Sequence, residues 1–266
     1  MANLTSDLQD CWGVPRLTLK YIKLKRMGEA DTGQLDSDLN RSLVRRWARE
    51  ILQTLDVRMV EVVGTPMNRS GLLLGNHTGY LDVPVLLSQI GTSFVAKKEL
   101  SYWPLFGTAA RCLDTVFVKR NSKTSRSMVG EAVLQHLGKQ EASVTLFPSG
   151  TTGMGRETPW RWGAFRLAKE NNLWVQPFRL RYTPLREAAF IGKDQFLPHL
   201  WKLVRAEGIR VALEFHSPVK IQSVKADSRY WQQWAESSEF SLPVTVNNPA
   251  LFPLGLDLSS AELSSI

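Results

Sequence analysis

The sequence is poor in cysteine and has no long apolar run. Its two cysteines, Cys11 and Cys112, lie far apart. They are too few for the disulfide framework of a small secreted protein, so we expect reduced thiols inside the cell. No uninterrupted apolar stretch approaches the roughly 18 residues of a membrane-spanning helix. Because the first residues also lack the basic and apolar regions of a signal peptide, the sequence predicts neither a transmembrane helix nor a signal peptide.

Acidic residues are outnumbered by basic ones. The 266-residue chain has 33 lysines and arginines against 25 aspartates and glutamates, which gives a net charge of +8 at pH 7. This surplus indicates an anionic partner, such as nucleic acid, an acidic membrane surface or the phosphates of a coenzyme. The sequence has no recognised nucleic-acid-binding motif. We therefore expect an anionic membrane surface or coenzyme phosphates as the partner, rather than nucleic acid.

Apolar segments of strand length alternate along the chain with segments of helical periodicity. Strands are predicted near residues 56–63, 72–75, 94–97, 116–118, 144–147 and 209–215. Helices are predicted over residues 82–90, 125–139, 159–170 and 228–236. The alternation predicts the α/β class, as a single domain with a central, mostly parallel or mixed sheet flanked by helices. The boundaries are a short N-terminal helical element at 1–56, the main domain at 57–242 and an irregular tail at 243–266.

The N-terminal element combines apolar and basic residues. Residues 12–27 mix aromatic and aliphatic side chains with lysines and arginines, and residues 38–56 place Trp47 and Ile51 near one apolar stripe of a helix. Basic residues opposite apolar ones suit a helix that lies in a membrane interface. The same pattern also suits a helix that packs on the core with its arginines in solvent. The sequence leaves both interpretations open.

The most distinctive motif is NHTGYLD at residues 76–82, directly after the apolar run at 72–74. Glycines bound that run, so it is typical of a buried strand that ends at Gly75. His77 and Asp82 would then follow the strand, in a loop and the start of a helix, where site residues are common. A carboxylate that binds one ring nitrogen fixes the tautomer, and the other nitrogen can take a proton from a hydroxyl.

Three later segments also end apolar runs with polar or basic groups. They are FVAKKEL at 94–100, VFVKR at 116–120 and VTLFPSGTTG at 144–153. Four such junctions predict a single cleft at one edge of a sheet, where open α/β folds bind their ligands. In the last segment Gly150, Thr151 and Gly153 leave room for an anionic or polar group held by backbone N–H groups.

Together these motifs resemble the glycerolipid acyltransferases of the bacterial lysophosphatidate-acyltransferase type, over roughly residues 38–220. The first family block corresponds here to Asn76, His77 and Asp82. The second corresponds to Lys97, Gly107 and Arg120. The third, Phe-Pro-Glu-Gly-Thr in the family, corresponds to Phe147, Pro148, Ser149, Gly150 and Thr151. The fourth is an apolar strand that ends in proline, here Pro177.

The resemblance implies a reaction and residue roles. His77 would be the general base on the free hydroxyl of a lysophospholipid, and Asp82 would orient it. The acyl donor would be acyl-CoA or acyl-carrier protein, used as co-substrate without a further cofactor or metal. The other matched residues would bind substrate, with Lys97 and Arg120 supplying charge for a headgroup or for CoA phosphates. The protein would act in membrane lipid synthesis, as a peripheral protein on the cytoplasmic face.

Two departures from the family pattern concern the acceptor. Ser149 stands where the family has glutamate, and Thr152 stands where many lysophosphatidate enzymes have an arginine that contacts the phosphate. The Gly-Thr-Thr form and the segment at 192–201 resemble a branch that includes lyso-ornithine-lipid acyltransferases. The acceptor headgroup, the donor and the acyl-chain length stay open. A lipid- or acyl-carrier-binding protein without turnover is an alternative because of Ser149, and a basic nucleic-acid binder is another.

Overall fold

The structure is a computed structural model that describes residues 4–32, 37–103, 106–118, 123–138, 143–155, 158–206 and 208–237. The predicted C-terminal tail at 243–266 and the site candidate Arg120 lie outside the described residues.

A mixed sheet forms the centre of the described chain. Its seven strands are β1 (Val57–Val63), β2 (Gly71–Gly75), β3 (Ser93–Lys97), β4 (Val116–Val118), β5 (Ser143–Leu146), β6 (Trp174–Thr183) and β7 (Ile209–Phe215). They lie in the order β1-β7-β6-β2-β5-β3-β4, and every neighbouring pair is parallel except β6 and β7. The predicted fold class, one α/β domain with a mostly parallel or mixed sheet, is confirmed.

Helices cover both faces of this sheet. They are α1 (Leu4–Thr32), α2 (Ser37–Thr54), α3 (Asp82–Leu87), α4 (Phe106–Cys112), α5 (Lys123–Leu137), α6 (Gly163–Glu170), α7 (Leu185–Ala188), α8 (Phe196–Arg205) and α9 (Val224–Ala235). A 3₁₀ helix, Lys98–Tyr102, follows β3. Helices α4, α7 and α8 are missing from the sequence-based prediction. The first two have 7 and 4 residues, which is too short for helical periodicity to be recognised.

Alternation along β2 separates two apolar cores. Leu73 points to a core shared with α1, α2, α3 and α8, whereas Leu72 and Leu74 point to a core shared with α5, α6 and α9. All three leucines are fully buried. A strand buried on both faces gives the continuous apolar run that the sequence shows.

Strand β6 is longer than predicted. The family resemblance implies a strand that ends at Pro177. In the structure β6 continues to Thr183, and its antiparallel register with β7 begins at Phe178. Pro177, which has no N–H to donate, therefore lies just outside the β6–β7 pairing. Since the pairing of β2 with β6 ends at Gly75 and Phe178, residues 179–183 extend beyond the end of β2 and are available to form one wall of a site.

The two N-terminal helices pack on the same core as the sheet. In α2 the predicted apolar stripe is buried at Ile51 and partly buried at Trp47. Ala48 and Leu52, which the stripe did not include, are fully enclosed beside it, which favours the core-packing interpretation for this helix. In α1 one side is buried through Val14, Tyr21 and Ile22. None of the helices in the described ranges combines the length and the apolar character needed to cross a membrane.

We expect Leu52→Ala to lower the free energy of unfolding by about 2–5 kcal/mol, because it removes a fully buried side chain from a packed core. Leu39→Ala on the same helix is the matched control. Leu39 is 38% exposed, so we expect a change within about 0.5 kcal/mol. Urea unfolding of both variants measures the difference. Equal small effects would mean that α2 is not part of the core.

Candidate active site

The site lies where parallel strands end at one edge of the sheet. Strands β2, β3 and β5 run in the same direction, so the residues that follow them meet at that edge. His77 follows β2, Ser149 follows β5, and Lys97 is the last residue of β3. The structure therefore brings together three of the four predicted junctions, and the fourth, at Arg120, lies outside the described residues.

Asn76 joins this edge to the extended part of β6. Its side-chain Nδ2 donates to the carbonyl oxygen of Leu180 at 2.9 Å, and its Oδ1 accepts from the Leu180 amide at 2.8 Å. The side chain thus reproduces a backbone pairing one step beyond the end of the β2–β6 ladder. Asn76 lines the pocket, but both of its polar groups hold β6, which assigns it a positioning role at the residue before His77.

Asp82 is the centre of the hydrogen-bond network. Its Oδ2 accepts from the backbone N–H groups of Thr78 at 2.7 Å and Gly79 at 3.2 Å, and lies 2.7 Å from His77 Nδ1. Its Oδ1 accepts from the hydroxyl of Tyr182 at 2.8 Å. Asp82 is completely buried. A buried carboxylate is costly unless its charge is compensated, and here four donors surround it.

Tyr182 was not among the predicted site residues. It lies in the part of β6 that extends past β2, and it is buried. Burial and the adjacent Asp82 raise the pKa of the Tyr182 phenol well above its usual value. The hydroxyl therefore stays protonated and acts as a donor to the carboxylate. No motif marks this residue, because the contact joins positions 100 apart in the sequence.

The imidazole of His77 is held on two sides. Asp82 accepts from Nδ1–H, which leaves Nε2 as the unprotonated nitrogen of the neutral ring. The ring also stacks on Phe147, with 3.8 Å between ring centroids and 9° between planes. The side chain is 21% exposed, so solvent or a ligand can reach it. Phe147, a predicted substrate-binding residue, therefore packs directly against the histidine.

The third family block, FPSGT at residues 147–151, forms a turn beside His77. The Gly150 amide donates to the Phe147 carbonyl at 2.9 Å, and the Gly153 amide donates to the His77 carbonyl at 2.8 Å. These two amides are engaged within the protein and do not form the N–H nest that the sequence suggests. Gly150 has a φ of 70°, a conformation that favours glycine. The hydroxyl of Ser149 donates to the carbonyl of Thr151 at 2.7 Å, which holds the turn closed.

A pocket of about 190 Å³ opens beside the histidine. Four predicted site residues line it: Asn76, His77, Ser149 and Thr151. Its other described lining residues are Thr78, Thr152, Gly153, Met154, Gly155, Thr158, Trp160, Leu180, Arg181, Tyr182, Leu185 and Glu236. Several of these come from β6 and from the end of α9, which no sequence motif connects with the first block.

Other predicted residues lie outside this lining. Pro177 is buried in the interior of β6, and Pro148 is buried with its carbonyl accepting from the Arg161 amide. Gly107 lies at the start of α4, where an added Cβ would meet the Ser101 carbonyl oxygen at 2.2 Å. Glycine is therefore required there by close packing. Lys97 is exposed at the same sheet edge.

A second polar network, around His199 and Phe190, connects the first and third family blocks. His199 Nε2–H donates to the Ala189 carbonyl at 2.9 Å, so its Nδ1 accepts from the Tyr80 hydroxyl at 2.8 Å. Burial lowers the pKa of His199, which favours this neutral ring. The adjacent Phe190 bonds through its amide to the Thr78 carbonyl at 3.1 Å and through its carbonyl to Thr152. The first and third motifs are thus tied to one loop.

Sequence comparison with known proteins identifies the family of this chain. The profile of the family described as Acyltransferase matches residues 55–181. The chain is 30% identical over 191 residues to the lyso-ornithine lipid O-acyltransferase of Pseudomonas aeruginosa, covering 70% of this chain and 73% of that protein. The chain belongs to the acyltransferase family.

Two further acyltransferases and one crystal structure are also similar to this chain. The lyso-ornithine lipid O-acyltransferase of Rhizobium meliloti is 32% identical, covering 70% of this chain and 69% of that protein. The 1-acyl-sn-glycerol-3-phosphate acyltransferase of Neisseria meningitidis is 29% identical, covering 75% of this chain and 80% of that protein. The crystal structure of PlsC from Thermotoga maritima, a 1-acyl-sn-glycerophosphate acyltransferase, has the same fold. It matches with a TM-score of 0.57 at 20% identity, covering 83% of this chain and 92% of that chain.

We expect Tyr182→Phe to lower the free energy of unfolding by about 1–3 kcal/mol, because the buried Asp82 carboxylate loses one of its donors. Tyr102→Phe is the matched control, since Tyr102 is 73% exposed, and its effect should stay within about 0.5 kcal/mol. Denaturant unfolding measures both. A Tyr182 variant as stable as the control would show that the other three donors suffice.

Proposed function

We propose that this acyltransferase moves a fatty acyl group from a thioester donor to the free hydroxyl of a lysophospholipid or a related lysolipid in membrane lipid synthesis. The observation that carries the proposal is the 2.7 Å contact between His77 Nδ1 and Asp82. It leaves Nε2 as a base in a ring that borders the pocket. The names of the relatives, which act on lyso-ornithine lipid and 1-acyl-sn-glycerol-3-phosphate, support the class of acceptor.

The chemistry proceeds by direct transfer. His77 Nε2 takes the proton of the acceptor hydroxyl while the hydroxyl oxygen forms a bond to the thioester carbonyl carbon. The tetrahedral intermediate then collapses, the carbon–sulfur bond breaks, and the imidazolium returns its proton to the leaving thiolate. The products are an ester and a free thiol, and His77 is again neutral. General base catalysis of this kind typically contributes about 10²–10⁴ in rate.

Asp82 fits the role of orienting group. It is completely buried, and its two oxygens are held by the backbone of Thr78 and Gly79 and by Tyr182. This rigid carboxylate keeps the imidazole in the Nδ1–H tautomer and stabilises the imidazolium that forms during the reaction. Asp82 itself does not need to take a proton.

The donor is proposed to be acyl-CoA or acyl-carrier protein. Both carry the acyl group as a thioester beside phosphate. Lys97 lies at the same sheet edge as His77 but outside the lining of the pocket, and it is exposed. Its position therefore suits the phosphate of a donor that approaches from solvent better than the headgroup of the acceptor. The mechanism uses the thioester and side chains of the protein, without a metal or further cofactor.

Helix α1 is proposed to bind an anionic membrane surface, as a peripheral contact on the cytoplasmic face. Its outer side carries three exposed apolar residues, with Trp12 at 68%, Leu19 at 58% and Met27 at 52% exposed. Four exposed cations share that side of the helix: Arg16, Lys20, Lys23 and Arg26. Apolar and basic groups on one exposed face are typical of helices that lie in the interface of an anionic bilayer.

We expect His77→Asn to reduce acyl transfer by about 10²–10⁴, because the side chain keeps a donor for Asp82 but loses the base. The assay follows a labelled acyl group from acyl-CoA and from acyl-carrier protein to a panel of lysolipids. His136→Asn on α5, away from the pocket lining, is the control and should keep wild-type activity.

The outcomes of this assay separate enzyme from binding protein. Product that depends on His77 establishes the proposed reaction and names its donor. A folded wild-type protein that binds the lysolipids without forming product would contradict the proposal, and would favour a binding protein in which Ser149 marks the loss of turnover.

We expect Lys20→Gln combined with Lys23→Gln to weaken binding to phosphatidylglycerol vesicles by about 30-fold, since each surface lysine contributes about 1 kcal/mol near an anionic bilayer. Arg166→Gln with Lys169→Gln removes the same charge from α6, which packs on the opposite face of the sheet, and should leave most binding intact. Vesicle sedimentation measures both pairs. Equal losses would indicate a general charge effect and not a binding face on α1.

A further inference from the structure

The backbone on both sides of the His77 side chain belongs to a closed ring of hydrogen bonds. The His77 carbonyl accepts from the Gly153 amide at 2.8 Å, and the Thr78 carbonyl accepts from the Phe190 amide at 3.1 Å. The Thr152 hydroxyl donates to the Phe190 carbonyl. Because the two members at each family block are consecutive in the chain, these three hydrogen bonds close a ring of five residues, here named the five-residue ring.

Phe190 is the member of the five-residue ring that belongs to neither block. Its amide binds the first block and its carbonyl binds the segment after the third, so one residue connects the two. The fit against the first block is close. At Gly79 an added Cβ would meet the Ala188 carbonyl oxygen at 2.7 Å and the Phe190 nitrogen at 3.2 Å. The position of Phe190 therefore sets how the turn after β5 lies relative to His77.

Two side chains hold the segment at Phe190 from the other side. His199 Nε2–H donates to the Ala189 carbonyl, and the Tyr80 hydroxyl donates to His199 Nδ1. The rings of Tyr80 and His199 both contact the Phe190 ring edge-on, with 5.5 and 5.3 Å between centroids. Burial raises the pKa of the Tyr80 phenol and lowers the pKa of His199, so a neutral donor meets a neutral acceptor. Because Tyr80 lies in the first block, this support returns to the loop that contains His77.

Tyr80, Phe190 and His199 lie outside the pocket lining, and the mechanism proposed above gives them no step. Their contacts bear on the backbone of His77, whereas Asp82 and Phe147 contact its imidazole. A general base must lie within hydrogen-bond reach of the proton that it takes. A displacement of about 1 Å can therefore cost about 10²-fold in rate.

We propose that the five-residue ring, together with Tyr80 and His199, is one positioning unit that fixes where His77 Nε2 meets the acceptor hydroxyl. The inference rests on the proposed function, because the position of a base matters for the reaction that uses it. The residues of the unit act through His77 and do not touch the reacting atoms. Loss of one of its hydrogen bonds should therefore lower kcat without abolishing it.

Thr152→Val tests the five-residue ring, since it keeps the shape of the side chain and removes the hydroxyl. We expect kcat per folded protein to fall about tenfold, with KM for the lysolipid changed by less than about twofold, because the lost contact is within the protein. Thr152→Ser keeps the hydroxyl and should recover most of that loss. Urea unfolding followed by circular dichroism gives the folded fraction of each variant.

Thr54→Val is the matched control. The Thr54 hydroxyl also donates to a backbone carbonyl, that of Glu50 at 2.8 Å, but it does so on α2 and outside the pocket lining. This variant should keep the wild-type kcat. A Thr152→Val variant that loses stability to the same extent as Thr54→Val and keeps its kcat would show a purely structural role.

Tyr80→Phe removes the hydrogen bond to His199 at the other end of the unit. Alone it should lower kcat by about threefold to tenfold. Residues that act as a unit have non-additive effects. Since Tyr80 and Thr152 both act through Phe190, the double variant should be about as slow as the slower single variant. Effects that multiply would show that the two residues act separately, and would overturn the proposal.

Amide hydrogen exchange, followed by NMR on the whole chain, tests the unit without catalysis. Tyr80→Phe should speed exchange of the Gly153 amide about fivefold to tenfold, because the loss of a hydrogen bond at one end loosens the ring at the other. The Val175 amide, which donates to the Val219 carbonyl at 2.9 Å, is the internal reference and should exchange as in wild type. Unchanged exchange at Gly153 would overturn the proposal.

These measurements separate the positioning unit from the proposed function. Transfer by wild type that Thr152→Val leaves intact would contradict only the unit. If wild type transfers no acyl group, the proposed reaction is contradicted, and exchange decides on the unit. Faster exchange at Gly153 in Tyr80→Phe would then still support it, and unchanged exchange would overturn it as well.

Discussion

The buried carboxylate of Asp82 is the interaction on which the site depends. It receives donors from the loop that contains His77 and from Tyr182 on β6. A charge enclosed in an apolar core is tolerated only when such donors are in place. Asp82 therefore couples three parts of the fold: the loop that contains His77, the start of α3 and the extension of β6. The orientation of His77 follows from the same hydrogen bonds to Asp82.

The extension of β6 beyond β2 connects this anchor with the rest of the pocket. The Asn76 side chain continues the ladder by one step to Leu180, so the strand stays in register where its neighbour has ended. Successive side chains of a strand point to opposite faces of the sheet. Tyr182 therefore points toward Asp82 in one core, and Arg181 points toward the end of α9 on the opposite face. One strand segment thus contributes both to the hydrogen bonds that hold His77 in place and to the pocket wall that contains Arg181.

Much of the fold and the central pair could be predicted from the sequence, because they depend on local patterns. Strands and long helices follow from apolar periodicity, and the spacing of His77 and Asp82 indicated their pairing, which the 2.7 Å contact fits. Asn76 was expected to bind substrate, but its amide holds Leu180. Tyr182, Arg181, Trp160 and Glu236 were missed, because their neighbours in the pocket are distant in the chain.

By itself, the sequence determined the class of fold, the family and the residues of the His–Asp pair, since each is encoded by residues close together in the chain. The tertiary structure alone decided where β6 ends, what surrounds Asp82 and which charges face the pocket. Those features depend on β6, the turn after β5 and the end of α9 meeting at one edge of the sheet. Contacts between elements so far apart in sequence leave no local pattern from which they could be predicted.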